Sequence, residues 1–176
     1  LSKWKLSLFS SRRVTSDSIR RALCVGWLVV GLGLAGCPGG PEGPLREIEV
    51  GTGRSFTPIE EDATLELNSG GQGSQHVFVS LRAWELTNLK TEVKLSLERV
   101  SDGAQLSAPY KVNLRFSRPT QEGEPAKLEG LLLVVNDPAE AVGREVRINA
   151  SFESDDGEHG TDSRSGTLQW AQNAFP

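Results

Sequence analysis

Apolar and polar residues alternate with a period of two over most of the chain beyond residue 45. Val77, Val79, Leu81 and Ala83 alternate with Phe78, Ser80, Arg82 and Trp84. Val93, Leu95 and Leu97 alternate with Glu92, Lys94, Ser96 and Glu98. Tyr110, Val112, Leu114 and Phe116 alternate with Lys111, Asn113, Arg115 and Ser117. Val146, Ile148, Ala150 and Phe152 do the same against Glu145, Arg147, Asn149 and Ser151. Successive strand side chains point to opposite faces, so each segment predicts a strand with one buried and one polar face, as in antiparallel sheets. Leu131–Val135 is apolar throughout and predicts a central strand covered on both faces. Shorter strands are expected at 47–50, 64–67 and 167–171.

Turn residues punctuate these segments at 69–73, 101–103, 118–125, 136–138 and 155–157. Asp102-Gly103 is the strongest hairpin signal. Pro138–Val142 fits one helical turn, and no segment sustains a helical period. About eight strands predict an all-β fold, an antiparallel β-sandwich of about 7–9 strands in residues 46–176, immunoglobulin-like or fibronectin-like in outline. Its expected core is Val77, Val79, Leu81, Val93, Leu95, Leu97, Val112, Leu114, Phe116, Leu132, Val134, Val146, Ile148 and Phe152. Fourteen such side chains suffice for a domain of this size to fold alone.

Charge is unevenly spread. Residues 1–36 carry six basic and one acidic side chain, +5, and residues 37–176 carry 13 basic and 22 acidic ones, 13 − 22 = −9. A body this acidic argues against nucleic acid as a partner, because phosphate contacts need concentrated Lys and Arg. The chain has no Met, and the expected start is an alternative codon read as Leu1 or, better placed, Val14. From Val14, a basic lead-in ending at Arg20-Arg21 is followed by an uncharged stretch, Ala22–Ala35. These are the n- and h-regions of a secretory signal, and about 20 apolar residues would be needed to span a bilayer.

That stretch ends in Leu34-Ala35-Gly36-Cys37. The four residues resemble the lipobox of bacterial lipoproteins: a leucine, two small residues and a cysteine. The resemblance implies cleavage between Gly36 and Cys37, a diacylglycerol thioether on the Cys37 thiol, and acylation of the new amino group. Residues 1–36 are then a discarded signal peptide that takes Cys24 with it. Acyl chains on Cys37 would hold the protein at a membrane in the cell envelope, because two or more chains anchor durably where one does not. An ordinary signal peptide with an incidental cysteine and a retained membrane anchor are the other readings. Pro38-Gly-Gly-Pro-Glu-Gly-Pro44 then reads as a tether, with residues 37–45 forming the lipidated linker. Pro38 is not the Asp that retains enterobacterial lipoproteins in the inner membrane, which favours the outer membrane. The stretches from Val50 to Ile59 and from Gly73 to Arg82 are also similar to envelope lipoproteins of predatory and soil proteobacteria such as myxobacteria, a resemblance that implies no activity.

No catalytic constellation stands out, and no cofactor is expected. Gly51-Thr-Gly53 and Gly70–Gly73 lack the strand-to-helix context of a phosphate loop. His76 and His159, with Asp155, Asp156, Glu158 and Asp162 of the acidic segment 153–162, are the side chains that could take Zn²⁺, Cu²⁺ or Ca²⁺. Their spacing matches no metal motif, and a solvated hairpin loop between strands 145–153 and 165–171 is the competing reading. Phe78, Arg82 and Trp84 share one strand face and could form an exposed patch, since aromatic and Arg side chains anchor interfaces. The alternative is a strand covered on its second face. The leading expectation is a lipid-anchored binding or scaffolding module with an envelope protein as partner. The alternatives are a metal-binding envelope protein and an envelope hydrolase with a dispersed site.

Overall fold

The computed structural model describes residues 43–71 and 73–172. The expected signal peptide (1–36) with its cleavage residue Gly36, the expected lipidation site Cys37 and most of the expected tether lie outside the described residues. The strands are β1 (Ile48–Thr52), β2 (Thr57–Pro58), β3 (Thr64–Ser69), β4 (Gln75–Ala83), β5 (Lys90–Arg99), β6 (Tyr110–Arg115), β7 (Ala126–Val135), β8 (Glu145–Ser154) and β9 (His159–Trp170). One short helix, α1 (Pro138–Ala141), sits between β7 and β8, with Pro in its first turn and the Asp137 carboxylate accepting from Ala139 N. The strong alternating segments all became strands, and the short helix lies within the expected turn Pro138–Val142.

All nine strands belong to one sheet, in the order β2-β1-β4-β3-β9-β8-β5-β6, with β7 pairing β4 along its whole length. β1 and β3 share the opposite edge of β4, β1 along 79–83 and β3 along 75–77. The antiparallel expectation needs correction, because β3 and β9 run parallel, Thr64–Leu67 against Thr167–Trp170. This makes the sheet mixed and continuous, a strongly curled half-barrel, where two separate layers were expected. Parallel neighbours cannot be joined by a hairpin, so this pair lies far apart in the chain and leaves no local signal.

Inside the curl lie Val50, Leu65, Leu67, Val77, Val79, Leu81, Val93, Leu97, Ile148 and Leu168, all without solvent exposure. Gly160 and Gly166 of β9 face this side where other segments cross. A Cβ on Gly160 would stand 2.7 Å from the Arg46 carbonyl, and one on Gly166 would stand 2.7 Å from that of Ala63.

Three expected core residues are exposed instead: Val112 at 41%, Leu132 at 48% and Val134 at 38%. Leu114 is only partly buried. For β7 the cause is a bulge: the register with β4 runs Val79↔Leu131 and then Leu81↔Leu128, so Glu129 and Gly130 together oppose Ser80. Gly130 takes φ +69°, which costs glycine nothing. The extra residue reverses the inward parity, so Leu131, Leu133 and Val135 face in and Leu132 and Val134 face out. The strand expected to be covered on both faces is therefore covered on one.

The curl nearly closes on itself. Ser107 bridges Val135, Ala108 N donates to Val134 O at 2.9 Å, and Asn136 N donates to Leu106 O at 2.9 Å. At the other end Ser117 N donates to Lys127 O at 2.8 Å. Between these two closures no ladder joins β6 to β7 among the described residues. Val112 looks into that opening.

Candidate functional site

The face of β4 turned away from the core carries His76, Phe78, Ser80 and Arg82. It is not solvated, because the turn between β1 and β2 folds back over it as a strap. The Ser80 hydroxyl, fully buried, donates to Gly53 O at 2.9 Å and accepts from Gly130 N at 3.1 Å. One side-chain oxygen thus joins the strap to the bulge. Thr52 Oγ1 donates to Phe78 O at 3.0 Å. The Arg54 guanidinium lies 4.9 Å from the Phe78 ring centroid and that of Arg82 lies 3.7 Å from the Phe56 centroid, so two cations and two rings interlock across the strap. Glu129 accepts from Phe56 N at 2.9 Å.

His76 packs edge-on against Phe78, 4.9 Å between centroids. Burial first, and the nearby Arg54 charge second, hold its imidazole below the ordinary value. Phe78 and Arg82 are therefore brought together on one face, but each is engaged by the strap. Trp84 lies past the end of β4, in a separate groove of about 270 Å³ shared with Leu86, Pro119 and Glu122. Arg54, Phe56 and Glu129 are partners that the sequence reading missed. The available signal was the Arg54-x-Phe56 spacing beside Phe78 and Arg82, with aromatic and cation exchanged.

The acidic segment is mostly strand. β8 runs to Ser154 and β9 starts at His159, so the loop is Asp155–Glu158, shorter than the one expected. The Glu158 side chain is 2% exposed. Its carboxylate accepts from Arg46 Nε at 2.8 Å, Arg46 Nη2 at 2.6 Å, Asn88 N at 2.9 Å and Thr87 N at 3.1 Å. Burial pushes this carboxyl up, but the backbone N–H of Asn88, the guanidinium and Thr87 together outweigh it, and the net shift is downward.

Asp156 accepts from the Ser154 hydroxyl and from Asn88 Nδ2, and these bonds lower it. Asp162 accepts from Val50 N at 2.9 Å and Arg164 Nε at 3.0 Å, filling the seam where β9 passes β1. His159 Nδ1 lies 3.1 Å from Gly157 O. Asp155 is exposed. The residues named for a metal are thus spread over separate duties, with His76 on a different face. Among the described residues no group of three or more His, Cys, Asp or Glu is placed to hold one ion. An open trough of about 520 Å³ between the β2–β3 turn and β9 gathers Glu60, Glu61, Asp62 and Glu145 around Arg164.

No family model, curated protein or solved structure matches this chain.

Proposed function

We propose that the chain is a bacterial envelope lipoprotein, cleaved before Cys37 and held at the membrane by acyl chains on that thiol. Its curled β domain works as a binding or scaffolding module, a role suited to a folded domain tethered at a membrane. The observation that carries this reading is the order of parts: a basic and apolar leader, Leu34-Ala35-Gly36-Cys37, and a Pro/Gly run leading into β1. Pro38 next to the thiol favours the outer membrane as the site of residence. The domain supports the binding role by what its polar groups do. Glu158, Asp162 and Ser80 are spent on joining strands to loops, while the outward faces of β5, β6 and β7 stay accessible.

The test is expression of the full chain in a Gram-negative host, with mass spectrometry of its amino-terminal peptide and detergent partitioning. The expected product starts at Cys37, carries the mass of diacylglycerol and fatty acid there, and enters the detergent phase. Cys37→Ala should stay in the aqueous phase or keep its leader. A mature chain that retains residues 1–36, or shows an unmodified Cys37 thiol, overturns the assignment.

A further inference from the structure

The two edges of the curled sheet meet at both ends of β6 and part between them. Phe116 N donates to Leu89 O at 2.8 Å, in the register of the β5–β6 ladder. In an antiparallel pair the bonds alternate, so Leu114, Val112 and Tyr110 also bond toward β5. Lys111, Asn113 and Arg115 therefore turn their N–H and C=O groups toward the opening. On the other side, Val134 O and Asn136 N point at segment 106–108. The same alternation turns both backbone groups of Leu132 into the opening. Two facing rows of main-chain donors and acceptors are left, with Val112 exposed between them at 41%.

The surroundings are basic on an acidic body. Across β5–β6, Lys90 stands directly opposite Arg115, and Lys94 opposite Lys111. Like charges opposite one another destabilise a ladder. Glu92 lies between them, 3.2 Å from Lys94 and 3.1 Å from Lys111, with Glu153 beyond it on β8. With Glu98 of β5 and with Glu145 and Arg147 of β8 also outward, five cations against four carboxylates leave this face at 5 − 4 = +1, on a body of net −9. A second copy of the chain is a poor occupant: antiparallel self-pairing of β6 about Asn113 would set Lys111 against Arg115 twice.

We propose that the opening between β6 and β7 accepts an extended segment of a partner protein, with acidic and apolar residues in alternation, as an added strand. The apolar side chains would cover Val112, Tyr110 and Leu114 from the inside, and the carboxylates would meet Lys111 and Arg115 outside. The ladder supplies affinity, and the alternate side chains supply selection. About seven residues of extended chain fit between the two closures. This deepens the binding half of the reading above and does not depend on the acyl anchor.

Tyr110 is the only tyrosine of the chain and stands at the lip of the opening, so fluorotyrosine labelling gives one ¹⁹F resonance there. The probe is a capped seven-residue peptide alternating Glu and Val, titrated into the detergent-solubilised full chain. The comparison peptides alternate Lys and Val or contain Glu alone. The Glu/Val peptide should shift the resonance saturably, and should protect amides of Lys111, Asn113, Arg115 and Leu132 from hydrogen exchange. Asn113→Pro, which removes a donor facing the opening while leaving the β5 ladder intact, should abolish the shift. Lys111→Glu with Arg115→Glu should weaken the Glu/Val peptide about tenfold or more and favour the Lys/Val peptide.

An equal response to the Lys/Val or Glu-only peptide, protection elsewhere, or no shift at all overturns the proposal and leaves the cations as guards against edge pairing. Concentration-dependent dimerisation that protects the same amides also overturns it, by naming a second copy as occupant. Loss of peptide binding with Cys37 still acylated would remove the opening from the account and leave the anchor untouched.

Discussion

At the scale of single residues, Glu158 shows how an acidic position becomes structural. A carboxylate withdrawn from water loses hydration that only several close donors replace, and here Arg46, Asn88 and Thr87 supply them. Removing one partner of a buried pair strands the other, so Glu158→Ala is expected to cost about 2–4 kcal/mol, with Arg46's partial contact with solvent softening the loss. Urea unfolding at pH 7 measures it, and a cost below about 1 kcal/mol would show the pair to be dispensable. The pH dependence follows from the direction of the shift. The folded carboxyl ionises below its ordinary value of 4.5, so the unfolded chain binds more protons as acid is added. The contribution of Glu158 is complete above pH 4.5 and is lost as pH falls through the lowered folded value. The gap between native protein and Glu158→Ala should therefore close in acid.

At the scale of elements, the strap and the bulge form one unit because Ser80 Oγ bonds both. Ser80→Ala leaves Gly130 N and Gly53 O, both only partly buried, short of a partner and should cost about 1–2 kcal/mol. It should also speed hydrogen exchange of residues 53–56 while the far strands keep their rates, and unchanged exchange in the strap would refute the link. The strands were legible because a half-buried strand prints its period on the sequence, as residues 77–83, 92–98 and 145–152 do. The bulge was not legible in the same way. Gly130 is its only local trace, and one unpaired residue was enough to exchange Leu132 and Val134 for Leu131, Leu133 and Val135. The patch expected at Phe78, Arg82 and Trp84 rests on strand parity alone. Parity does place Phe78 and Arg82 together, but it carries no information about Arg54 and Phe56, which arrive from another hairpin. Nor could spacing reveal the opening beside β6, since that depends on where Ser107 and Ser117 meet β7.

At the scale of the whole molecule, β9 lies between the two wings of the sheet, paired to β3 on one side and β8 on the other, so the sheet is expected to unfold as one cooperative body. On one side stand β2, β1, β4, β3 and β7; on the other stand β8, β5 and β6. Leu168, fully buried and in register with Leu65, lies at the junction. Leu168→Ala should lower stability by about 2–4 kcal/mol. Exchange probes in β4 and in β5 should then fall by the same amount, and a loss confined to one wing would contradict a single body. The order of synthesis gives this junction a further meaning. The strand at the centre of the sheet is the last of the described strands to be made, and its partner Thr64–Leu67 has waited about a hundred residues for it. A nascent chain short of β9 has mainly the closures at Ser107 and Ser117 to hold its two groups of strands together, so the central ladder waits for the last of the described strands. On the export route proposed above, such late completion would keep the chain open enough to thread, an asset built into the topology.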